Sequence, residues 1–200
     1  GRAASWGGHI ELPDEPDGVF VINSTSSGAF ASLEADASTA DVVAIDAEWV
    51  PDFDLDSDNP ISVLQLAFIN SRRVYVIQLG PMGRKLPQAV QMMLVNPEVT
   101  KVGFAVSQKD TVKFRSSGIA VTHSSILDIQ VRCATLSGVD WSSSTSYSLK
   151  RAAQDILGYN LPKDKRCACS DWSVDKLTAE QVRYAALDAW VALRLYYAVA

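Results

Sequence analysis

The chain is organised around the run Val42-Val43-Ala44-Ile45-Asp46-Ala47-Glu48. Its four leading apolar residues, rich in β-branched side chains, are typical of a strand that is buried on both faces of a sheet. Asp46 and Glu48 follow at positions i and i+2, so on an extended backbone both carboxylates point to the same side. Two neighbouring carboxylates repel each other, and a divalent cation relieves that repulsion. The run therefore predicts a buried strand that ends either in a cation-binding pair or in a solvated turn.

Two apolar segments downstream of this run have the pattern of a β-hairpin. They cover residues 61–69 and 73–79 and are joined by Asn70-Ser71-Arg72. Helical and strand patterns alternate after the hairpin, which is typical of α/β domains. We therefore predict an α/β fold with a mixed central β-sheet flanked by α-helices. The later predicted elements are helices over 86–95, 107–115, 130–136 and 149–157, and strands over 100–104 and 125–129.

The composition fits one folded domain, because 48% of the 200 residues are apolar. Residues 1–18, rich in Gly, Pro and acidic side chains, are predicted to be an irregular leader, and residues 19–200 a single domain. No apolar run reaches the roughly 18 residues that span a bilayer, and three cysteines are too few for a disulfide framework. We therefore expect an intracellular domain that does not enter membranes. The sequence does not distinguish nucleus from cytoplasm.

The last predicted helix carries two polar side chains on one face. It begins at Thr178-Ala179-Glu180-Gln181, which has the form of a capping box, and residues 182–199 contain no Gly or Pro. Tyr184 and Asp188 are four positions apart, so they lie about one turn from each other. Asp188 stands among apolar residues, where an ionised carboxylate is costly unless it is paired or bound to a metal. The alternative is a half-exposed aspartate on an amphipathic helix.

Asp110 is a further acidic candidate, at the start of a predicted helix that directly follows a strand. The positive end of the helix dipole favours an aspartate at that position, with or without a bound cation. Asp110 is therefore a candidate ligand whose position also has a purely structural explanation.

These motifs, in chain order, resemble the DEDDy 3′–5′ exonuclease family. The resemblance is to the branch of the DnaQ-like superfamily that contains ribonuclease D, the Werner syndrome exonuclease and the Nibbler/Mut-7 group, and it runs from about residue 42 to 197. The motifs that carry it are Asp46-x-Glu48, the segment 60–67, a glycine-containing strand leading to Asp110, Ser148-Leu149-Lys150, Ile156-Leu157-Gly158, Cys169-Ser170-Asp171-Trp172, and Tyr184-Ala185-Ala186-Leu187-Asp188.

One spacing departs from that family pattern. Members of the family commonly have one residue fewer between the glycine and the second aspartate than the seven-step spacing from Gly103 to Asp110. Strict spacing would select Lys109, but a lysine cannot bind a cation. We therefore select Asp110 and expect a one-residue bulge before it.

The resemblance implies a ribonuclease H-like fold and a 3′–5′ exonuclease that releases nucleoside 5′-monophosphates from single-stranded RNA or DNA. It implies two divalent ions, Mg²⁺ or Mn²⁺, which polarise the scissile phosphate and generate hydroxide near neutral pH. The implied metal ligands are Asp46, Glu48, Asp110 and Asp188, and Tyr184 would orient the attacking water. The alternative is a catalytically silent module of the same fold that binds nucleic acid or protein. Additional domains or a protein partner would supply targeting.

The charges of the chain are unevenly distributed, although its net charge is −5. Residues 1–71 contain one basic and 13 acidic side chains, whereas residues 72–200 contain 17 basic and 10 acidic ones. This asymmetry would suit a basic surface for phosphates, separate from an acidic cation site. From charge alone, two unrelated solvated faces are the simpler interpretation. The candidate phosphate contacts are Lys101, Lys113, Arg115, Lys150, Arg151, Lys163, Lys165 and Arg166.

Residues near the first acidic pair are candidates for contact with the terminal nucleotide. Trp49 could stack on the terminal base, and Leu55 could touch the same nucleotide. Leu55 belongs to a segment with alternating aspartates, which we predict to be a flexible acidic loop near the entrance of the site. Those aspartates are Asp52, Asp54, Asp56 and Asp58.

Overall fold

A six-stranded mixed β-sheet forms the centre of the computed structural model, which describes residues 16–52, 57–106, 108–142, 146–162 and 164–200. The spatial order of the strands is β1-β4-β3-β2-β5-β6. β3 pairs antiparallel with both β2 and β4, whereas the β1–β4, β2–β5 and β5–β6 pairs are parallel. In chain order the strands are β1 (Gly18–Ile22), β2 (Val42–Glu48), β3 (Val63–Phe68), β4 (Arg73–Gln78), β5 (Thr100–Gly103) and β6 (Ile126–Asp128). The predicted mixed sheet is thus confirmed.

Seven α-helices flank this sheet within the described ranges. They are α1 (Phe30–Thr39), α2 (Gln88–Val95), α3 (Gln108–Ser116), α4 (Gln130–Leu136), α5 (Leu149–Leu157), α6 (Lys165–Ala168) and α7 (Ala179–Val199). α4 and α5 begin and end at the predicted residues, whereas the single-turn helix α6 was not predicted. None of the described helices combines the length and the apolar character needed to cross a membrane.

The predicted hairpin brings β2 to the middle of the sheet. At its turn Arg72 has a left-handed backbone with φ of 52°, and the Arg72 N–H donates to the Ile69 carbonyl oxygen at 3.2 Å. β3 then pairs with β2 on its other side, from Ala44 to Glu48. The acidic end of β2 is therefore paired with β3 on one side, whereas β5 pairs with β2 only from Val42 to Ala44.

The two faces of the sheet are covered by different helices. Ala44 packs into the core layer that contains α7, whereas Val43 and Ile45 pack into the layer that contains α1 and α2. Since side chains alternate along a strand, Asp46 and Glu48 continue the row of Ala44 and project towards α7. The apolar alternation of β2 thus decides which helix its carboxylates meet.

The predicted capping box fixes the beginning of α7. The Gln181 N–H donates to Thr178 Oγ1 at 3.2 Å, and the Thr178 N–H donates to Gln181 Oε1 at 3.0 Å. These reciprocal bonds satisfy two of the backbone donors that a helix start leaves unpaired. The first turn of α7 is therefore anchored, and Tyr184 lies in the turn that follows it.

Lys101 on β5 has a structural role. Its side chain is fully buried, and its ammonium group donates to the carbonyl oxygens of Asn96 at 2.6 Å and Val99 at 2.9 Å. Burial lowers the pKa of this lysine below its ordinary value. The prediction that Lys101 contacts a substrate phosphate is therefore wrong, because the ammonium group holds the turn between α2 and β5 instead.

Candidate active site

Three carboxylates converge where β2 meets α7. One oxygen each from Asp46, Glu48 and Asp188 lies within 4.8 Å of the others. Asp188 is only 4% exposed, whereas the two β2 carboxylates are half-buried. Such a buried cluster of negative charge is unfavourable without a compensating cation. The all-oxygen donor set suits a hard divalent ion such as Mg²⁺ or Mn²⁺.

The orientation of the Asp46 carboxylate is partly fixed by the strand itself. Its Oδ1 atom accepts a hydrogen bond from the N–H of the next residue, Ala47, at 2.8 Å. Hydrogen bonds of this kind orient carboxylates that bind metal ions. The cluster is therefore arranged by the backbone of β2 and by one buried residue of α7.

Tyr184 lies one turn before Asp188 on α7 and is backed by a buried tryptophan. Its ring centroid is 6.0 Å from that of Trp172, at an interplanar angle of 51°. Trp172 is 1% exposed, and its indole N–H donates to the Ala168 carbonyl oxygen at 3.2 Å. The buried indole of Trp172 thus packs against the Tyr184 ring, one turn of α7 away from Asp188.

Asp110 lies in the first turn of α3, as predicted, but it is not a member of the three-carboxylate cluster found among the described residues. It lines a cleft of about 160 Å³ that Asp46 and Trp49 also line. A second cleft, of about 210 Å³, lies between Asp46 and Asp188 and is lined by Gln130. The predicted four carboxylates therefore form a tight group of three, with Asp110 across a small cleft from Asp46.

The segment between β5 and α3 contains a tight bend in place of regular structure. Ala105 has a left-handed backbone with φ of 61°, and its N–H donates to Asp128 Oδ1 at 2.9 Å. A Cβ atom at Gly103 would lie 2.2 Å from Val106 Cγ2, so any larger residue there would displace the Val106 side chain. The one-residue bulge expected before Asp110 stays a prediction, because residue 107 lies outside the described residues.

Lys113 on α3 is directed towards the acidic segment after β2. Its ammonium group donates to Asp52 Oδ2 at 2.8 Å, to Asp58 Oδ1 at 2.6 Å and to the Asn59 carbonyl oxygen at 3.1 Å. It also lies 5.5 Å from the centroid of the Trp49 ring. The side chain predicted to contact phosphate is thus occupied by the chain's own carboxylates. These contacts tie Asp52 and Asp58 to α3. Residues 53–56, with Leu55 among them, lie outside the described residues, so the flexible acidic loop stays a prediction.

We expect the Lys113 ion pairs to make stability depend on pH. Hydrogen bonds from Lys113 lower the pKa values of Asp52 and Asp58 below their ordinary value of 3.8. A lowered folded-state pKa contributes stability above the ordinary value, and that contribution is lost as pH falls through the folded-state value. Below about pH 4, urea unfolding should therefore show a steeper loss of stability for the wild type than for Lys113→Met.

A matched control for this prediction is Arg151→Met. Arg151 forms an exposed pair with Asp155 at 3.3 Å, and exposed pairs of this kind contribute little to stability. Its acid profile should follow that of the wild type. Parallel profiles for wild type and Lys113→Met would contradict the prediction.

The remaining basic candidates are dispersed over the surface. Arg166 pairs with Asp164 at 2.9 Å and is 92% exposed, and Arg151 lies over the Tyr147 ring at 5.4 Å. Arg115 is exposed. Lys163 lies outside the described residues. The structure therefore does not gather all predicted basic residues around the carboxylates.

A cleft of about 490 Å³ beside Tyr184 does gather basic side chains. It is lined by Lys150 and Lys165, which are exposed, and by Arg183, while Glu180 offsets part of their charge. The Arg183 Nε atom is buried and has no hydrogen-bond partner within the described part of the chain. Sequence reasoning missed Arg183, although its place directly before Tyr184 was a signal that could have found it.

This cleft borders the carboxylate cluster. Cys167 lines it, and burial, followed by the charges of Glu48 and then those of Glu180, Asp164 and Asp188, raises the pKa of that thiol to about 11. Tyr184 also lines the cleft and lies one turn before Asp188, so the cleft lies next to the part of α7 that carries the buried carboxylate.

Comparison with known sequences agrees with this geometry. The family model for 3′-5′ exonucleases matches residues 21–199. The chain belongs to the 3′–5′ exonuclease family. The bifunctional 3′-5′ exonuclease/ATP-dependent helicase WRN of Mus musculus is 28% identical over 163 residues, which cover 80% of this chain and 11% of that protein. This exonuclease-family chain thus spans about a tenth of the length of that relative.

Solved structures confirm the fold of this exonuclease-family chain. The crystal structure of the Aedes aegypti Nibbler EXO domain has a TM-score of 0.73 at 26% identity and covers 96% of this chain and 91% of that one. The complex of Trypanosoma brucei RNase D with RNA U12 has a TM-score of 0.69 at 17% identity and covers 90% of this chain and 62% of that one. The ribonuclease H-like fold and the predicted branch of the family are both confirmed.

Proposed function

We propose that this exonuclease-family chain is a metal-dependent 3′–5′ exonuclease that removes nucleoside 5′-monophosphates from single-stranded RNA or DNA. The observation that carries the proposal is the convergence of Asp46, Glu48 and Asp188 within 4.8 Å at the junction of β2 and α7. Three carboxylates in that arrangement repel one another, and a bound divalent cation would relieve that repulsion. Family membership then identifies phosphodiester hydrolysis as the chemistry that the cation serves.

The proposed mechanism uses two divalent ions, Mg²⁺ or Mn²⁺. When bound, such ions would supply Lewis-acid polarisation of the scissile phosphate, activation of water and stabilisation of the leaving 3′ oxygen. Asp46, Glu48 and Asp188 would hold one ion, and Asp46 and Asp110 would hold the other. Tyr184 positions the attacking water by a hydrogen bond, since a phenol is a poor base at neutral pH.

The substrate path that we propose has two parts. The terminal nucleotide occupies the cleft lined by Trp49 and Asp110, and the preceding phosphates follow the cleft of Lys150 and Arg183. An arginine whose Nε is buried and unpartnered among the described residues is suited to a phosphate oxygen. The complex of Trypanosoma brucei RNase D with RNA U12 supports an RNA ligand for a protein of this fold.

The direct test is a time course with 5′-labelled single-stranded RNA and DNA of one sequence, with Mn²⁺ or with EDTA. We expect a ladder that shortens from the 3′ end in Mn²⁺ and no cleavage in EDTA. Nucleoside 5′-monophosphates should be the product by chromatography. The extent of cleavage of the two strands reveals the preferred sugar.

A catalytically silent binding module remains the second candidate, and one observation favours it. Asp110 stands apart from the three-carboxylate cluster of the described chain, and two-metal hydrolysis needs ligands for both ions. Binding of either labelled strand by folded wild-type protein, without shortening in Mn²⁺, would favour the module and exclude the exonuclease.

We expect Arg183→Ala to weaken substrate binding. Loss of one charge-assisted contact to phosphate should raise KM for a single strand about tenfold while kcat changes little. It should also reduce the slope of log affinity against log salt by about 0.7. Steady-state kinetics and salt titrations measure both quantities.

The control for this prediction is Arg132→Ala, because Arg132 is exposed on α4, outside the cleft. Its KM and salt slope should remain those of the wild type. An Arg183→Ala variant with unchanged KM, or an equal change in the control, would contradict the proposed path.

A further inference from the structure

Gln65 on β3 is a buried amide whose hydrogen-bonding groups are unused. Its exposure is 0%, and neither Nε2 nor Oε1 has a hydrogen-bond partner among the described residues. Burying a polar group without a partner opposes folding, because its bonds to water are not replaced. An orphaned amide in the interior therefore points to a role other than stability.

The other buried glutamines show that this fold can satisfy such groups. Gln78 donates to the Val174 carbonyl oxygen at 3.1 Å. Gln181 donates to Ser170 Oγ at 3.0 Å and to the Asp171 carbonyl oxygen at 2.9 Å. Gln65 is the exception among the buried glutamines of the described ranges.

Gln65 lies directly opposite Asp46 in the antiparallel pairing of β2 and β3. Residues opposite each other in such a pair share one face of the sheet, with Cβ atoms about 5 Å apart. Val63 and Ala67, two positions to either side on β3, pack in the core layer of α7. The Gln65 amide therefore lies on the α7 side of the sheet, next to Asp46 of the carboxylate cluster.

We propose that Gln65 is a positioning residue for Asp46 during metal binding. The proposal rests on the proposed function. When a divalent ion occupies the cluster, the amide N–H of Gln65 donates to the Asp46 carboxylate and holds the orientation in which it binds the ion. Carboxylate ligands commonly have such hydrogen-bond partners, and loss of the partner weakens metal binding. Gln65 is fully buried, and the low dielectric of its surroundings strengthens the hydrogen bond between its amide and Asp46.

In this role the Gln65 amide favours metal binding but lowers the stability of the metal-free protein. A residue that only fills space at this position would be replaced without loss by an apolar side chain of similar volume. A positioning residue would not, because the orientation of Asp46 would be lost together with the donor. Metal affinity and stability therefore change in different ways under the two roles.

The test is Gln65→Met, which preserves the volume and flexibility of the side chain and removes both polar groups. Calorimetric titration with Mn²⁺ and thermal unfolding in EDTA are measured for wild type, Gln65→Met and Gln78→Met. We expect Gln65→Met to bind Mn²⁺ about tenfold more weakly and to have an unchanged or higher Tm in EDTA. Gln78→Met should have a lower Tm, because it loses a satisfied bond, and wild-type affinity.

Each outcome distinguishes the two roles. Wild-type Mn²⁺ affinity of Gln65→Met overturns the proposal, as does an equal loss of affinity in Gln78→Met, which would show general loosening. A loss confined to Gln65→Met supports it, whatever its Tm. Absence of Mn²⁺ binding by the wild type overturns the proposed function and this inference together, whereas undiminished binding by Gln65→Met overturns the inference alone.

Discussion

Asp188→Asn is expected to lower kcat by about three orders of magnitude, the scale seen when one preorganised charge-stabilising group is lost. The amide keeps the shape of the side chain but removes the charge of the most buried member of the cluster. Since the substrate cleft beside Tyr184 is untouched, KM should change much less than kcat. Single-turnover cleavage of a 5′-labelled strand measures the chemical step separately from binding.

The same variant should be more stable than the wild type in EDTA. Removing one of three carboxylates within 4.8 Å relieves their repulsion when no cation is present. Mn²⁺ should raise the Tm of the wild type and have little effect on Asp188→Asn, because a ligand stabilises only the state that binds it. Glu98→Gln, at an exposed carboxylate outside the cluster, is the control and should respond to Mn²⁺ as the wild type does. Equal responses in all three proteins would contradict a metal site at Asp188.

Trp172→Ala is expected to lower the free energy of unfolding by about 3–5 kcal/mol, the range for truncating a buried aromatic side chain. The indole is 1% exposed and is packed against Tyr184. For a protein of this size the loss corresponds to a fall in Tm of about 10 °C. Urea unfolding and differential scanning calorimetry measure the two quantities.

Trp172→Phe separates packing from hydrogen bonding at this position. It keeps an aromatic ring behind Tyr184 and loses the bond to the Ala168 carbonyl oxygen, so it should lose less stability than the alanine variant. We also expect Trp172→Ala to lower kcat at temperatures where it remains folded, because the ring behind Tyr184 is gone. Wild-type kcat in folded Trp172→Ala would show that Tyr184 does not depend on this support.

The elements that could be predicted from sequence are those whose local pattern agrees with their packing. Asp46 and Glu48 extend the alternation of a buried strand, and the capping box places the start of α7. Asp188 was recognisable because a charged residue in an apolar helix requires a partner. Periodicity thus fixed both the strand and the helix that form the cluster.

The partners of several side chains could not be predicted from sequence, because they depend on how the chain packs. Whether a lysine meets a phosphate or an internal acceptor is decided by tertiary packing, and the pattern around Lys101 or Lys113 carries no sign of it. Lys113 meets Asp58, which is 55 positions away. The unused amide of Gln65 is likewise visible only once its neighbours in space are known. Charge alone is therefore a weak guide to substrate contact in a chain of this kind.

The position of Asp188 on α7 has a consequence for synthesis on the ribosome. Asp46 is made early and Asp188 late, and α7 also supplies the layer that covers one face of the sheet. Contacts between parts so distant in sequence form slowly, after much of the chain has been restricted. A nascent chain that has not yet completed α7 therefore has neither a full core nor the third carboxylate. The complete carboxylate cluster and the complete fold should thus arise together.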